Sequence, residues 1–472
     1  MMRLVNKNLI RFVVLAGSAL VALPVMAAKR QPVLTLENFI QQATRNDTTF
    51  ETILIDQLPL KYRRDILLPD SDIIMDIKYQ HNFYPNQDRN TPEASISLSK
   101  LFPYNGTQLS LSYNKSASSF TTDEDSSLQF LISQPIARNA FGKGTQLQDK
   151  IIGIENDISR YQIVEAYEDY LASLTAAYYN WYSAYENLKV GQASYRSNQK
   201  LMQNILERQR QKIALPIDVN KMELLLISKK ENVIILQEIY DNLSNLVFKA
   251  IRYNKATPYI PAKPRRPATQ VQFKQDYDAF TEHSRTYQTL RLLEQQGTLE
   301  VKKAADDLLP STNLLLGYKM EGQDWGIRDD EDSYFAGIEL NWPIGRTTDK
   351  ARQQLARIEY KKTVLSNQNK YEELRTNLKN LFLQIEREQK LIKIADKKVR
   401  LAEAVLKDEA ENYSFGKVTL NDYIDAVNRV DENRFSLTDH TVQLNKLLIE
   451  WLRLTDKLVS EQQVLDNGIT QP

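Results

Sequence analysis

Apolar residues recur every three or four positions along two long stretches of this chain. In the first, from about Thr145 to Gln211, Leu147, Ile151, Ile154, Ile158, Tyr161, Val164, Tyr167, Leu171, Leu174, Tyr178, Trp181, Ala184 and Leu188 keep that step. The second, from about Thr347 to Tyr413, keeps it through Leu355, Ile358, Leu365, Leu381, Ile385, Leu391 and Leu401. The spacing is close to a heptad seam, the mark of helices packed along their length. Helices of this extent would be about 100 Å long at 1.5 Å per residue. Ahead of each stretch the period shortens to two, which predicts strands at about 72–82, 93–101, 107–115, 127–135, 312–320 and 333–342. In one of them Tyr334, Ala336, Ile338, Leu340 and Trp342 oppose Phe335, Gly337, Glu339 and Asn341; in another Leu109, Leu111 and Tyr113 oppose Ser110, Ser112 and Asn114. Such alternation fits a barrel with a lipid face and a wet lumen, and equally a soluble two-faced sheet.

These elements come in the same order twice. DILLP at 65–69 and DDLLP at 306–310 each close a helical run, and Pro69 and Pro310 supply the stop, because proline disfavours helix in the residue before it. Upstream, residues 36–69 align without a gap on 277–310, setting Phe39 against Phe280. The strands SLQFLISQPI (127–136) and YFAGIELNWPI (334–344) both end on Pro-Ile and lead into the long helices. Each long helix then meets a break, KIALPIDV (212–219) or GKVTLNDY (416–423), followed by a return helix of about half its length. The return helix and the short helix near 36–66 together match the long one, so end-to-end stacking would cover it.

The chain therefore divides into a first structural repeat over 28–254, a Pro-rich connector over 255–272, a second repeat over 273–465 and a tail over 466–472. The prolines of YIPAKPRRP (259–267) predict a semi-rigid spacer. Residues 1–27 have the layout of a cleaved signal peptide: Arg3, Lys7 and Arg11, an apolar run from Phe12 to Leu23, then small residues before Ala28. That run is too short for the roughly 20 residues a membrane helix needs. No later segment has one either, so any membrane insertion must use strands.

Composition removes several classes of function. With 61 Lys and Arg against 60 Asp and Glu, the net charge is +1, and nothing favours nucleic-acid binding. The absence of cysteine excludes disulfides, thiolate metal sites and a cysteine nucleophile. His81, His283 and His440 stand singly, without metal-ligand spacing, and no catalytic set or cofactor motif converges. FGKGT at 141–145 lacks the full phosphate-loop pattern and predicts a strand-to-helix turn. Asp306 and Asp307 are expected on a solvated helix end.

The stretch NYSFGKVTLNDYIDAVNRV (412–430) holds the candidate site. Gly416 would permit the turn after the long helix, and Thr419 would cap the next. Asp422 and Asp425 lie three apart, on one helix face. Under threefold symmetry six carboxylates would ring a pore, repel one another and attract cations. An ordinary solvated helix start is the alternative, since aspartate favours the positive end of a helix.

The paired LLP stops, SQPIARNAFGKG at 133–144, AYYNWYSAYENLKVG at 177–191 and the breaks with Asp218 and Asp422 resemble the TolC-like outer-membrane factor (outer membrane efflux protein) family. The resemblance implies a mostly α fold with a β-barrel part: a homotrimer whose duplicated strand/long-helix repeats form an outer-membrane β-barrel of four strands per chain and a periplasmic α-helical tunnel. It implies no enzyme activity and no cofactor. The role implied is a passive exit duct, set in outer-membrane lipid, for a tripartite efflux pump or a type I secretion system, with a periplasmic adaptor and an inner-membrane transporter as partners. A periplasmic coiled-coil scaffold or tether without transport activity is the alternative. By the same resemblance Asp422 and Asp425 line the periplasmic constriction, and Tyr413 and Asp218 link helices at the closed tip. Val418 stands where some members carry a gate arginine, and Lys212 replaces the usual glycine. The hairpin at 93–115 departs from the four-strand pattern, either within the wall or outside it.

Overall fold

The structure, a computed structural model, describes residues 32–84, 89–117, 124–253, 258–267, 271–323, 325–327 and 332–459. The expected signal peptide and the 466–472 tail lie outside the described residues. The first repeat runs β1 (Val33–Leu34), α1 (Leu36–Asn46), α2 (Thr48–Ile55), a 3-10 helix (Leu58–Tyr62), α3 (Arg63–Leu67), β2 (Ile73–Tyr84), β3 (Arg89–Phe102), β4 (Thr107–Ala117), β5 (Glu124–Pro135), α4 (Lys143–Arg210) and α5 (Pro216–Ala250). After β6 (Ile260–Pro261), the second runs α6 (Phe273–His283), α7 (Arg285–Asp306), β7 (Ser311–Gln323), β8 (Asp332–Asn341), α8 (Thr347–Ser414) and α9 (Leu420–Leu454). The two long helices both have 68 residues and the two return helices both have 35. The two halves thus match in the lengths of these helices as well as in their order.

Stacking covers each long rod as its length demands. In the first repeat the aromatic seam of α4 is sealed by two partners in turn. Phe50 on α2 packs on Tyr170, and Arg64 on α3 pairs with Asp149 at 2.9 Å. Farther along, Trp181 is fully buried, donates its indole N–H to Ser244 on α5 at 2.8 Å, and meets Phe248 edge-on. The two covers meet where the Asn46 amide reaches the carbonyl of Ile251 at 3.4 Å. In the second repeat, Tyr287 on α7 packs on Tyr371, while Trp451 on α9 packs on Phe382 and donates to Asp276 at 3.1 Å. Burying a ring of this size stabilises by about 3–5 kcal/mol, judged by the usual cost of its truncation.

The repeats differ where their sequences differ. The helix expected over 36–66 is four short pieces, whereas α7 is unbroken. Pro59 at the start of the 3-10 helix lacks an N–H and cannot continue α2, and Glu300 occupies the aligned place in α7. Asp47 caps α2 and Ser284 caps α7 through backbone N–H groups of Thr49 and Tyr287. Those caps are equivalent junctions, so the gapless alignment slips by one helical turn ahead of them. The connector is more structured than its prolines predict. Its Ile260 and Pro261 pair in parallel with Val33 and Leu34, and Tyr178 donates to the carbonyls of Leu34 and Ala262. Asp306, expected in solvent, is buried and accepts the backbone N–H of Asn139 at 2.9 Å, which fastens the end of α7 to the start of α4.

All six long strands form one antiparallel sheet in the order β2-β3-β4-β5-β7-β8. The 93–115 hairpin is thus inside the sheet, between β2 and β5. Between sheet and helix, FGKGT makes the expected turn: Gly142 has φ +77, and a Cβ there would sit 2.2 Å from the carbonyl oxygen of Tyr104. Only glycine fits that approach.

Candidate functional site: the helical tip and the two-faced sheet

At the far end of the rods, two turns bring α4 into α5 and α8 into α9. The second is built as the sequence predicts. Gly416 takes φ 73, and the Lys417 N–H reaches the Asn412 carbonyl at 3.0 Å. Thr419 caps α9: its hydroxyl accepts the Asp422 N–H at 3.3 Å, while Asp422 Oδ2 accepts the Thr419 N–H at 2.9 Å and its hydroxyl at 2.7 Å. The Thr419 hydroxyl, then its N–H, hold the Asp422 carboxyl below the usual carboxylate range. Asp425 lies on the next turn, exposed and on the same side of α9.

The first turn does the same work with a poorer residue. Lys212 sits at φ 60, and the N–H groups of Ile213 and Ala214 both reach the Arg208 carbonyl, at 2.9 and 3.2 Å. A side chain in this conformation costs about 1–2 kcal/mol. Lys212→Gly is therefore expected to stabilise the turn by about 1 kcal/mol. Slower amide exchange at residues 211–215 would register it; faster exchange would mean that the lysine makes a contact worth more than the strain. Asp218 occupies the third position of α5 and accepts the Leu215 N–H at 3.1 Å, matching Asp422 in the other turn.

Tyr413 is where the two turns meet. Its ring stacks on Tyr423 with centroids 5.8 Å apart and planes 7° apart. The Arg208 guanidinium lies 4.9 Å from the ring centroid, and Nη1 donates to the Tyr413 carbonyl at 3.2 Å. Burial pushes both tyrosine hydroxyls above their ordinary pKa. Arg208 was not among the expected site residues. Neither was the cluster above it, where Lys229 on α5 reaches Asp431 on α9 at 2.6 Å and Ser194 on α4 donates to the same carboxylate. Those partners are 202 and 237 residues apart in the chain. The one signal in the sequence is a carboxylate beside Val430 on the apolar stripe of α9. Val418, in the turn itself, is half-buried.

The sheet sorts its residues by face along its central ladders. Met75 pairs with Leu98, Leu98 with Leu111, Leu111 with Phe130, and Phe130 with Tyr318, which pairs with Tyr334. The opposite face runs Asp76, Ser97, Ser112, Gln129, Lys319 and Ser333 along the same rung. The apolar face is largely uncovered: Ile77 is 65% exposed, Tyr334 82% and Ile338 70%. No helix among the described residues is long and apolar enough to cross a membrane.

Over about nine-tenths of its length the chain is similar in fold to solved outer-membrane channels. The outer membrane protein VceC of Vibrio cholerae is 12% identical, with a TM-score of 0.67 over 89% of this chain and 95% of that one. The outer membrane channel MtrE of Neisseria gonorrhoeae, in its open state, is 13% identical, with 0.67 over 90% and 89%. This is the fold of the TolC-like outer-membrane factors. The outer membrane channel CmeC of Campylobacter jejuni is a further likeness, 14% identical with 0.61 over 92% and 89%. No family model and no curated protein matches the chain by sequence. The two-faced sheet and the paired turns stand at opposite ends of the long helices α4 and α8.

Proposed function

We propose that the protein is the passive exit duct of a tripartite efflux pump or type I secretion system. Three copies close their sheets into a barrel in the outer membrane and bundle their rods into a tunnel through the periplasm. The observation that carries this reading is the apolar face that crosses all six strands along the central rung from Met75 to Tyr334, continued by helices about 100 Å long. A sheet with exposed Tyr334 and Ile338 on one side and serines on the other is suited to lipid outside and water inside. A periplasmic adaptor and an inner-membrane transporter supply drive and selection, binding the open tip more tightly than the closed one. Purified protein added to a planar bilayer should conduct ions in discrete steps. Soluble protein without conductance would instead make it a scaffold.

Asp422 and Asp425 form the constriction in this reading, and their threefold copies ring the pore at the tip. In one subunit the Asp422 carboxylate is already engaged by Thr419, so Asp425 presents the freer charge to a cation. Asp422→Asn with Asp425→Asn removes both charges, while the amide carbonyl introduced at position 422 can still accept from Thr419. The pair of changes is expected to weaken divalent-cation block of the current about tenfold, equivalent to about 1.4 kcal/mol. Unchanged block would take the ring away from these residues.

A further inference from the structure

The β3–β4 hairpin is a full member of the sheet, and this has a consequence for the barrel. We infer that each subunit lays six strands in the wall, so that threefold closure makes an eighteen-stranded barrel in which β8 pairs antiparallel with β2 of a second copy. The inference rests on the duct reading above and extends it to the width of the exit.

Four observations carry it. The ladder is continuous: β3 pairs with β2 from Ile73↔Lys100 to Tyr84↔Arg89, and β4 pairs with β5 from Gln108↔Ser133 to Ala117↔Glu124. Nothing is left for a direct β2–β5 pairing. The hairpin also carries the same two faces as its neighbours, with Leu98 and Leu111 in the apolar band and Ser97 and Ser112 opposite. A hairpin lying outside the wall would put one of those faces in the wrong solvent. Its turn is fixed to the junction of sheet and helix: Gln134 donates to the Asn105 carbonyl at 2.9 Å, and Gln146 donates to the Tyr104 carbonyl at 2.8 Å. Finally, a hairpin adds two strands, so directions still alternate and the two edges run opposite ways. Among the described residues, both edges present backbone groups without a ladder partner beside exposed apolar residues, Met75 and Ile77 on one and Ile338 and Leu340 on the other. Lipid cannot satisfy those groups, whereas a second copy can.

The width follows from strand number. With strands about 4.8 Å apart and tilted about 40°, eighteen strands give a backbone diameter of about 36 Å, against about 24 Å for twelve. The sheet end is then a broad, serine-lined mouth of porin-like width, and any narrow passage lies in the helical part.

The chain has no cysteine, so single cysteines report cleanly. Ser110→Cys and Ser97→Cys, recorded in a planar bilayer, should react with a charged, membrane-impermeant methanethiosulfonate and lower the conductance in three steps, one per subunit. Leu98→Cys and Leu111→Cys should resist that reagent but take a lipid-soluble maleimide. If all four react with the charged reagent and the current is unchanged, the hairpin lies outside the wall and the barrel has twelve strands. If the unsubstituted protein does not conduct at all, the duct reading fails and this inference falls with it.

Discussion

Arg285→Met is expected to destabilise the folded subunit by about 3–5 kcal/mol at neutral pH, the usual cost of stranding a buried charge. Arg285 opens α7 and is 6% exposed, beside Glu168 of α4, which is 2% exposed. Its guanidinium is hydrogen-bonded to the Glu168 carboxylate and lies 3.0 Å from Asp456, while its backbone N–H reaches Asp456 at 2.6 Å. The other oxygen of Glu168 accepts the Val459 N–H at 3.1 Å. One buried cluster thus ties together the first long helix, the second repeat and the segment after α9. Burial dominates at Glu168 and lifts its pKa even with the arginine present. A carboxyl raised in the folded state favours folding below its unfolded pKa, and that contribution is lost as pH rises through the folded pKa. Without the guanidinium the pKa rises further. The deficit of the variant should therefore be largest at neutral pH and shrink under acid, as Glu168 takes a proton. Urea midpoints of the detergent-solubilised protein at several pH values would register this. An equal deficit at every pH would mean that packing of the arginine stem, and not charge, was lost.

Arg208→Ala is expected to increase single-channel conductance and lengthen the open periods. Arg208 lies in the last turn of α4, Tyr413 in the last turn of α8, and the stacked Tyr423 belongs to α9, so the arginine bridges the two turns of one subunit. A half-buried cation–π contact with one hydrogen bond to a carbonyl is worth about 1–3 kcal/mol. In a trimer the loss occurs three times at one ring, enough to shift a tip balanced between closed and open arrangements. Arg208→Lys keeps the charge but not the planar fork, and should fall between the two. A conductance identical to that of the unsubstituted protein would assign closure to other contacts.

Periodicity made most of this fold legible. The step of three or four along Leu147 to Leu188 located α4 within a few residues, and the alternation around Tyr334 to Leu340 located β8 and the face it presents. Gly416 and Thr419 were readable because a left-handed turn and an N-cap each demand a small set of residue types. What escaped was either long-range or dependent on a close approach. At Lys212 only the resemblance, which sets glycine there, hinted at a left-handed turn; the residues around the lysine do not. The burial of Asp306 depends on Asn139, far off in the other repeat, and the Arg208–Tyr413 and Lys229–Asp431 pairs likewise join distant segments. The hairpin's alternation was visible, but alternation looks the same whichever strands lie beside it; only the fold shows the hairpin paired between β2 and β5.

The most direct measurement is single-particle imaging of the full chain in lipid nanodiscs. Particles with threefold symmetry are expected, a lipid belt around the six-stranded sheets and a hollow helical tube extending about 100 Å from it. Isolated subunits, or a sheet standing clear of the lipid belt, would contradict the closed pipe on which everything else depends.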